Sequence, residues 1–110
     1  MKTVEIELYS EASNNAIVRV PGRSFPGVVI QGDSLSILHE NAKTLSLRVQ
    51  QLGIQDEELL YAAQELQGQL LDRLLHDQKT LAAHDISLPY TRAASGSDLV
   101  SLVPNEDDEH

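Results

Sequence analysis

The sequence predicts an α+β fold, in which a three-stranded antiparallel meander is followed by two helices (β-β-β-α-α), a long second helix and an acidic C-terminal tail. Three observations favour this order: apolar and polar residues alternate early in the chain, Pro-Gly pairs separate the alternating segments, and from residue 34 the apolar residues recur every three or four positions. The 110 residues suffice for one domain. We predict a single α+β domain over residues 1–90 and a flexible acidic tail over residues 91–110. The alternative for the tail is that its short apolar segment, Leu99, Val100, Leu102 and Val103, adds a strand to a partner or to the edge of its own sheet.

The three strands follow from short alternating or apolar segments bounded by turn residues. In the first segment, Val4, Ile6 and Leu8 point to one side and the polar residues between them to the other. Pro21-Gly22 fits a turn, because proline presets φ and glycine accepts the left-handed conformation. We predict strands over residues 3–9, 16–20 and 27–31, which form a meander with one apolar face.

The glycine-rich segment VPGRSFPGVVIQGDSL, residues 20–35, could be either a phosphate-binding loop or a series of turns. A Walker loop needs a lysine followed by serine or threonine after its last glycine, whereas Asp33 follows Gly32 here. A carboxylate at a helix start satisfies the free N–H groups itself and repels phosphate. The segment therefore predicts turns and a helix start.

A first helix is predicted over residues 34–52. Asp33 or Ser34 can cap its start, and Gly53 stands where a left-handed terminating residue is expected. The residues predicted to face the core share a spacing of three or four; they are Leu35, Leu38, Ala42, Leu45, Val49 and Leu52.

A second helix is predicted from about Asp56 to residue 83, with three acids in its first turn, and it would be about 42 Å long. A small sheet and a shorter helix cannot cover both ends of such a helix. Either it breaks near Gly68, or it is continuous and its leucine stripe packs outside the chain. We favour the continuous helix, with Leu66, Leu70 and Leu74 as the candidate oligomer interface.

The charge of the chain favours a basic protein partner. Seventeen acids against eight Lys and Arg residues give a net charge of −9, which argues against nucleic acid and anionic membranes as ligands. The alternative is an ordinary acidic soluble protein. Candidate partner-binding acids are Glu57, Glu58, Glu65 and Asp72 on the second helix and, as a second choice, Glu5 and Glu7 on the exposed face of the first strand. Arg19 is expected to form a salt bridge with Glu5 or Glu7 across the hairpin.

No residues are arranged for catalysis. The chain has no cysteine, its four histidines are scattered, and no pair of titratable groups is set up for acid–base work. We therefore predict no enzyme, no metal and no cofactor. No apolar run approaches the roughly 18 residues of a membrane helix, and the N-terminal segment turns acidic where a signal peptide would turn apolar. These features favour a cytoplasmic protein.

One segment carries a resemblance to a known family. Residues 25–45, FPGVVIQGDSLSILHENAKTL, resemble the signature of HicB-type antitoxins in three matching motifs: Pro26-Gly27, Gln31-Gly32-Asp33-Ser34 and Glu40-Asn41-Ala42-Lys43. The resemblance implies a core that folds against a small partner, typically an mRNA-cleaving toxin. HicB-type antitoxins usually carry a C-terminal DNA-binding module, and this chain has no basic recognition helix. The whole chain also resembles a family of short, uncharacterised bacterial proteins that share PGR-x-FPGVVIQGDSLS and a long second helix ending near LPY, which implies no activity.

The function expected from these features is that of a non-enzymatic acidic protein-binding module. It would inhibit a basic partner, as an immunity protein or an antitoxin does, by occluding its active-site cleft. The alternative is a homo-oligomeric structural or regulatory accessory protein, such as a homodimer, built on pairing of the long helices.

Overall fold

The computed structural model describes residues 1–11 and 15–104, which form three strands and two helices. The elements are β1 (Glu7–Ser10), β2 (Ile17–Arg19), β3 (Gly27–Val28), α1 (Gly32–Gln51) and α2 (Glu57–Ala83), followed by a short 3₁₀ turn (Gly96–Asp98). This order confirms the predicted β-β-β-α-α layout.

The sheet is antiparallel with the order β1-β2-β3. Leu8 lies opposite Val18 and Glu7 opposite Arg19. The first strand is shorter than predicted because β2 stops at the Pro21-Gly22 turn, which leaves no strand opposite residues 3–6. Gly22 has the positive φ of 86° expected for this turn.

Helix α1 begins two residues earlier than predicted, and its cap differs. The residue before the helix is Gln31, which has extended backbone angles. Its side chain forms no capping hydrogen bond. The Asp33 carboxylate accepts a hydrogen bond from the neighbouring Ser34 N–H at 2.8 Å. The end of the helix is as predicted, since Gly53 has a φ of 64° and its N–H donates to the carbonyl of Gln50 at 3.1 Å.

Helix α2 is continuous through Gly68 over its 27 residues. Asp56 caps its start, because the Asp56 carboxylate accepts a hydrogen bond from the Leu59 N–H at 3.0 Å. The helix ends at Ala83, several residues before Pro89. The long second helix therefore holds as predicted.

The two helices form an antiparallel hairpin that contains the core. The Ser46 hydroxyl donates to the Ala63 carbonyl, and the His39 ring bonds to the Gln67 side chain. The contacting residues are farther apart in the sequence at greater distance from the connecting loop, as expected for antiparallel helices. The buried apolar side chains are Leu35, Ala42, Val49, Ala63, Leu71, Leu74 and Val100, and the buried polar ones are His39, Ser46 and Gln67.

The seam of α1 differs from the predicted apolar stripe. Leu38, Leu45 and Leu52 were expected to face the core, but each lies more than 40% exposed. The buried line passes instead through His39 and Ser46. Leu35, Ala42 and Val49 are buried as predicted. A pattern of apolar residues alone cannot indicate a buried histidine or serine, so the prediction placed these core positions at the neighbouring leucines.

The sheet extends from the hairpin without packing on it. The predicted apolar face of the meander exists, since Leu8 and its neighbour Val18 lie on one side, but Val4, Ile6 and Leu8 remain about half exposed. The described part of the molecule is accordingly long, with principal extents of 51 × 30 × 28 Å.

Residues 91–104, which we call the C-terminal strap, lie along the hairpin. Val100 of the strap is buried, and the 3₁₀ turn contacts α2. This placement differs from the free tail expected from residue 91 onwards. The acidic end of the predicted tail, residues 105–110, lies outside the described residues.

Candidate functional site

The predicted partner-binding acids of α2 lie on one exposed line. Glu58, Glu65 and Asp72 are spaced by seven residues, so they fall on one face, and Glu57 lies exposed in the first turn. Among the described residues, none of these four carboxylates takes part in an ion pair. The structure thus places three of the four on one exposed side of α2, where the Glu65 carboxylate accepts a hydrogen bond from the Gln69 side chain at 3.3 Å.

An open groove of about 780 Å³ runs beside this line, between α2 and the C-terminal strap. Tyr61, Glu65 and Asp72 line it from the helix, and Leu99 and Val103 from the strap. We call this groove the acidic groove. Its other lining residues are Gln64, Gly68, Gln69, Ser101 and Pro104. It combines two carboxylates with an exposed aromatic ring and an apolar opposite wall, which is the chemistry that a lysine or arginine side chain needs for its charge and its aliphatic stem.

Gly68 also lines the groove. A Cβ added at this position would meet no atom within 4 Å, so packing inside the chain does not require glycine there. The position is open to the approach of another molecule.

Two glutamines of α2 hold the strap that forms the second wall. Gln64 accepts hydrogen bonds from the N–H groups of Leu102 and Val103 at 2.7 and 2.8 Å. Gln67 accepts from the Val100 N–H at 2.8 Å and donates to the Asp98 carbonyl at 2.8 Å. These amides satisfy backbone groups of the strap, which has no ladder of its own.

A third glutamine fixes the beginning of the strap. Gln78 accepts a hydrogen bond from the Ala94 N–H at 2.7 Å and donates to the Ala94 carbonyl at 2.9 Å. Tyr90 donates to the Gln78 side chain at 3.2 Å, and burial together with the nearby Asp77 raises the pKa of Tyr90 to about 12.

Asp98 ties the strap to α1. Its carboxylate bonds to the Lys43 ammonium at 2.7 Å and to the Arg92 guanidinium at 3.2 Å, and it accepts from the Ser95 N–H at 2.8 Å. The hydrogen bond from Lys43, then that from Ser95, lowers the pKa of Asp98. The exposed Arg92 contributes less than the largely buried Lys43.

His39 joins this network inside the core. Its Nε2 lies 3.2 Å from Nε2 of Gln67, and because the amide nitrogen only donates, Nε2 of His39 accepts and the ring is neutral. Burial lowers the pKa of His39, against the opposing effects of Glu40 and Asp98. The histidine thereby links α1 to the residue that holds the strap.

Sequence reasoning missed this glutamine and histidine network. The sequence pattern could have indicated Gln67, because it lies four residues after Ala63 and four before Leu71, on the same side of α2 as these buried apolar residues. His39 and Ser46 occupy equivalent positions on α1.

The acids of the sheet lie apart from the acidic groove. The Glu7 carboxylate pairs with the Arg19 guanidinium and accepts a hydrogen bond from the Tyr9 hydroxyl at 2.6 Å, and these contacts lower the pKa of Glu7. The predicted salt bridge of Arg19 is confirmed with Glu7 as its partner. Glu5 is exposed.

The leucines predicted as an oligomer interface do not share one environment. Leu66 is about half exposed, Leu70 is intermediate, and Leu74 is only 1% exposed within the core of the hairpin. Leu74 therefore contacts residues of its own chain and offers no surface to a second copy.

The motif residues of the β3–α1 connection have structural positions. Pro26 and Gly27 open β3, Gln31 precedes α1, and Asp33 and Ser34 form its first turn. Gly32 lies so near α2 that a Cβ there would stand 2.8 Å from Oδ2 of Asp77 and 3.2 Å from Cγ of Pro89.

A family model matches residues 1–90, from the sheet to the end of α2 and Tyr90. The chain belongs to DUF6959, a family of unknown function. The match agrees with the expected membership of an uncharacterised family. No curated protein and no solved structure gives a significant match to this DUF6959 chain.

The described part of the DUF6959 chain contains neither a cluster suited to a metal ion nor a helix suited to a membrane. Within residues 1–11 and 15–104, no group of three or more His, Asp or Glu side chains is placed to hold a metal ion. In the same part of the chain, neither helix has the combination of length and hydropathy that crossing a membrane demands.

Proposed function

We propose that this chain is a non-enzymatic, acidic protein-binding module that inhibits a basic partner by covering its active-site cleft, as an immunity protein or an antitoxin does. The observation that carries the proposal is the line of unpaired carboxylates beside an open groove with an aromatic wall. We assign the contact to the acidic groove and place the protein in the cytoplasm.

The electrostatics of the groove suit a basic protein. Glu58, Glu65 and Asp72 have no internal cation to displace, so a partner's lysines or arginines gain their full attraction. The net charge of −9 adds long-range steering of a basic partner. Tyr61 offers a ring face to a guanidinium next to the carboxylates.

The resemblance to HicB-type antitoxins supports the antitoxin form of this proposal. It rests on residues 25–45, which form β3, the connection and most of α1. The chain has no basic recognition helix, so we propose inhibition of a protein without DNA binding.

The test begins with the product of the neighbouring reading frame, which we expect to be a small basic protein or a secreted toxin. Co-expression should suppress its toxicity, and the purified proteins should form a complex that weakens as salt is raised. Glu65→Lys combined with Asp72→Lys should weaken binding by about tenfold or more, because the partner's cations would meet like charges.

The matched control is Glu11→Lys combined with Glu40→Lys, which gives the same net charge but changes exposed acids away from the groove. This control should bind nearly as the unaltered chain does. An equal loss of affinity in both double variants would mean that net charge, and not the groove, determines binding. Unchanged affinity of the groove variant would refute the assignment of the contact to the acidic groove.

A second candidate function is that of a homo-oligomeric structural or regulatory accessory protein. It is favoured by leucines such as Leu45 and Leu66 that remain uncovered on the hairpin. The two candidates separate in toxicity assays, since an accessory oligomer would leave the neighbouring product active.

A further inference from the structure

One side of the helical hairpin carries apolar side chains that nothing in the chain covers. The set, which we call the leucine face, consists of Leu38, Leu45 and Leu52 on α1 and the connecting loop, and Leu59 and Leu66 on α2. Their exposed fractions range from 38% to 60%. Within each group the spacing is seven residues, as in helices that pack lengthwise against other helices.

The five leucines lie on the same side of the hairpin. Leu38 and Leu45 each precede a buried seam residue, His39 and Ser46, and Leu66 precedes the buried Gln67. In two antiparallel helices, positions that precede the seam on each helix project to one common side, because the reversal of direction also reverses the sense of rotation. The two heptad rows therefore form one continuous apolar surface.

The opposite side of the hairpin is covered by the chain itself. Lys43 and Gln64, which each follow a seam residue, hold the C-terminal strap there. The remaining parts of the printed sequence, residues 12–14 and 105–110, contain no large apolar side chain that could cover the leucine face. Neither of these two segments can fill this role.

The leucine face also differs in charge from the rest of the molecule. The residues along its borders are Asn41, Arg48, Ala62, Gln69 and Arg73, with no carboxylate among them. Glu58, Glu65 and Asp72 stand on another side of α2, whereas Asp77 lies on the leucine side but three turns beyond Leu66. For a chain of net charge −9, such a face is where two copies can meet with the least repulsion.

We propose that a second copy of this chain covers the leucine face, so that two hairpins form a four-helix arrangement around a two-fold axis. A two-fold contact needs a self-complementary surface, and paired rows of leucines at heptad spacing meet this need. From Leu38 to Leu52 the face is about 21 Å long at ~1.5 Å per residue. If each helix is about 10 Å wide, the face covers on the order of 400 Å² per partner, which is about half of a standard interface and falls in the range of small, weak complexes.

The dimer leaves the acidic groove free. The groove opens along Glu65 and Asp72, on a different side of α2 from Leu59 and Leu66, and Gln69 lies at the edge of both surfaces. Dimerisation is therefore independent of the proposed inhibition of a basic partner, and it can be measured with the purified chain alone.

The experiment is sedimentation of the full chain over a range of concentrations. We expect a dimer for the unaltered chain, and Leu45→Asp should weaken dimerisation by about tenfold or more, because the carboxylate would be buried without a partner. The matched control is Ile37→Asp, which places the same charge on an exposed apolar position of α1 outside the leucine face and should leave the dimer intact.

A second measurement covers the case in which Leu45→Asp does not fold. The chain has no cysteine, so Leu45→Cys and Ile37→Cys each introduce a single thiol. The reaction of the Leu45→Cys thiol with a maleimide should slow as protein concentration rises, whereas that of Ile37→Cys should not change. A monomer at all concentrations, or equal behaviour of the two positions in both measurements, would overturn the proposal. The basic partner plays no part in either outcome.

Discussion

Gln67 is the residue on which the C-terminal half of the molecule depends. Its amide is fully buried and bonds at once to His39 of α1 and to the backbone of Asp98 and Val100. A single polar side chain thus joins three parts of the chain. Neutral amides suit this role, because they satisfy backbone donors and acceptors without the desolvation penalty of a charge.

Gln67→Ala should destabilise the fold by about 2–3 kcal/mol, because the Val100 N–H and the Asp98 carbonyl lose their buried partner. Urea unfolding measures the loss, and hydrogen exchange should show lower protection of the Val100 amide. Gln69→Ala, two positions along α2 at an exposed site, should change stability by less than about 0.5 kcal/mol. Similar losses for the two variants would contradict the role of Gln67.

His39 should make stability depend on pH below about 6.5. Its pKa is lowered in the folded chain by burial, so the unfolded chain binds the proton first and stability falls as pH decreases below about 6.5. The charged groups that act on the ring are Glu40, Asp98 and Lys43, and burial outweighs them. Asp98, whose pKa is lowered mainly by Lys43, contributes stability that disappears only below about pH 4.

Unfolding by urea at a series of pH values measures this dependence. His39→Gln should flatten the profile below about pH 6.5, and His76→Gln, at an exposed histidine, should leave it unchanged. A profile that His39→Gln does not alter would show that another group titrates in this range.

At the scale of single elements, the ends of the helices were more predictable than their faces. Gly53 acts through local backbone geometry, which a few neighbouring residues determine, and it has its predicted role. Helix α2 starts where predicted, but Asp56, which was predicted only as one of three acids near the helix dipole, caps the helix through its carboxylate. The seam of α1 depends on what α2 presents to it. The burial of His39 and Ser46 follows from Gln67 and the Ala63 carbonyl on the other helix, which no local pattern in α1 reveals.

The candidate site, like the helices, was predictable only in part. The exposed acids Glu58, Glu65 and Asp72 follow from helical spacing alone. The groove beside them does not, because its second wall comes from residues 99–104, some 35 positions away, through glutamine bonds to backbone groups.

Asp56→Ala should destabilise the fold by about 1 kcal/mol, since the Leu59 N–H at the start of α2 loses its acceptor. Asp56→Asn keeps a side-chain oxygen at the same place and should retain most of the stability. Thermal or urea unfolding of the two variants measures the difference. Equal stability of both would mean that the cap contributes nothing.

Two glycines of the helices should respond to alanine in opposite directions. Gly68→Ala should stabilise the fold by about 0.5–1 kcal/mol, because the added methyl group meets open space in a helix interior. Gly32→Ala should destabilise it by about 1 kcal/mol, because its Cβ would press on Asp77 and Pro89. Urea unfolding gives both signs, and a stabilising Gly32→Ala would contradict the close approach of α1 to α2.

On the scale of the whole molecule, the sheet and the hairpin differ in how they are stabilised. The radius of gyration of 17.0 Å exceeds the value of about 13 Å typical of a compact chain near this length, because the sheet projects from the helices. Short strands gain independent stability only from a covered apolar face. In the single chain, Ile6 and Leu8 lack such a cover.

We therefore expect the amides of β1 and β2 to exchange with solvent much faster than those of the hairpin seam, such as Ala42 and Leu71. Hydrogen exchange with mass spectrometry on the purified chain measures both regions in one experiment. Equal protection of sheet and seam would reveal an additional cover over Ile6 and Leu8.

The family match ends at residue 90, whereas the strap that supplies Leu99 and Val103 begins after it. The shared region thus contributes the carboxylates and the anchoring amides, and the following segment contributes the facing wall. Replacing the strap of this chain would leave Glu65 and Asp72 in place but change the width and hydrophobicity of the groove. Such an exchange would test whether the proposed partner is selected by the strap or by the carboxylates.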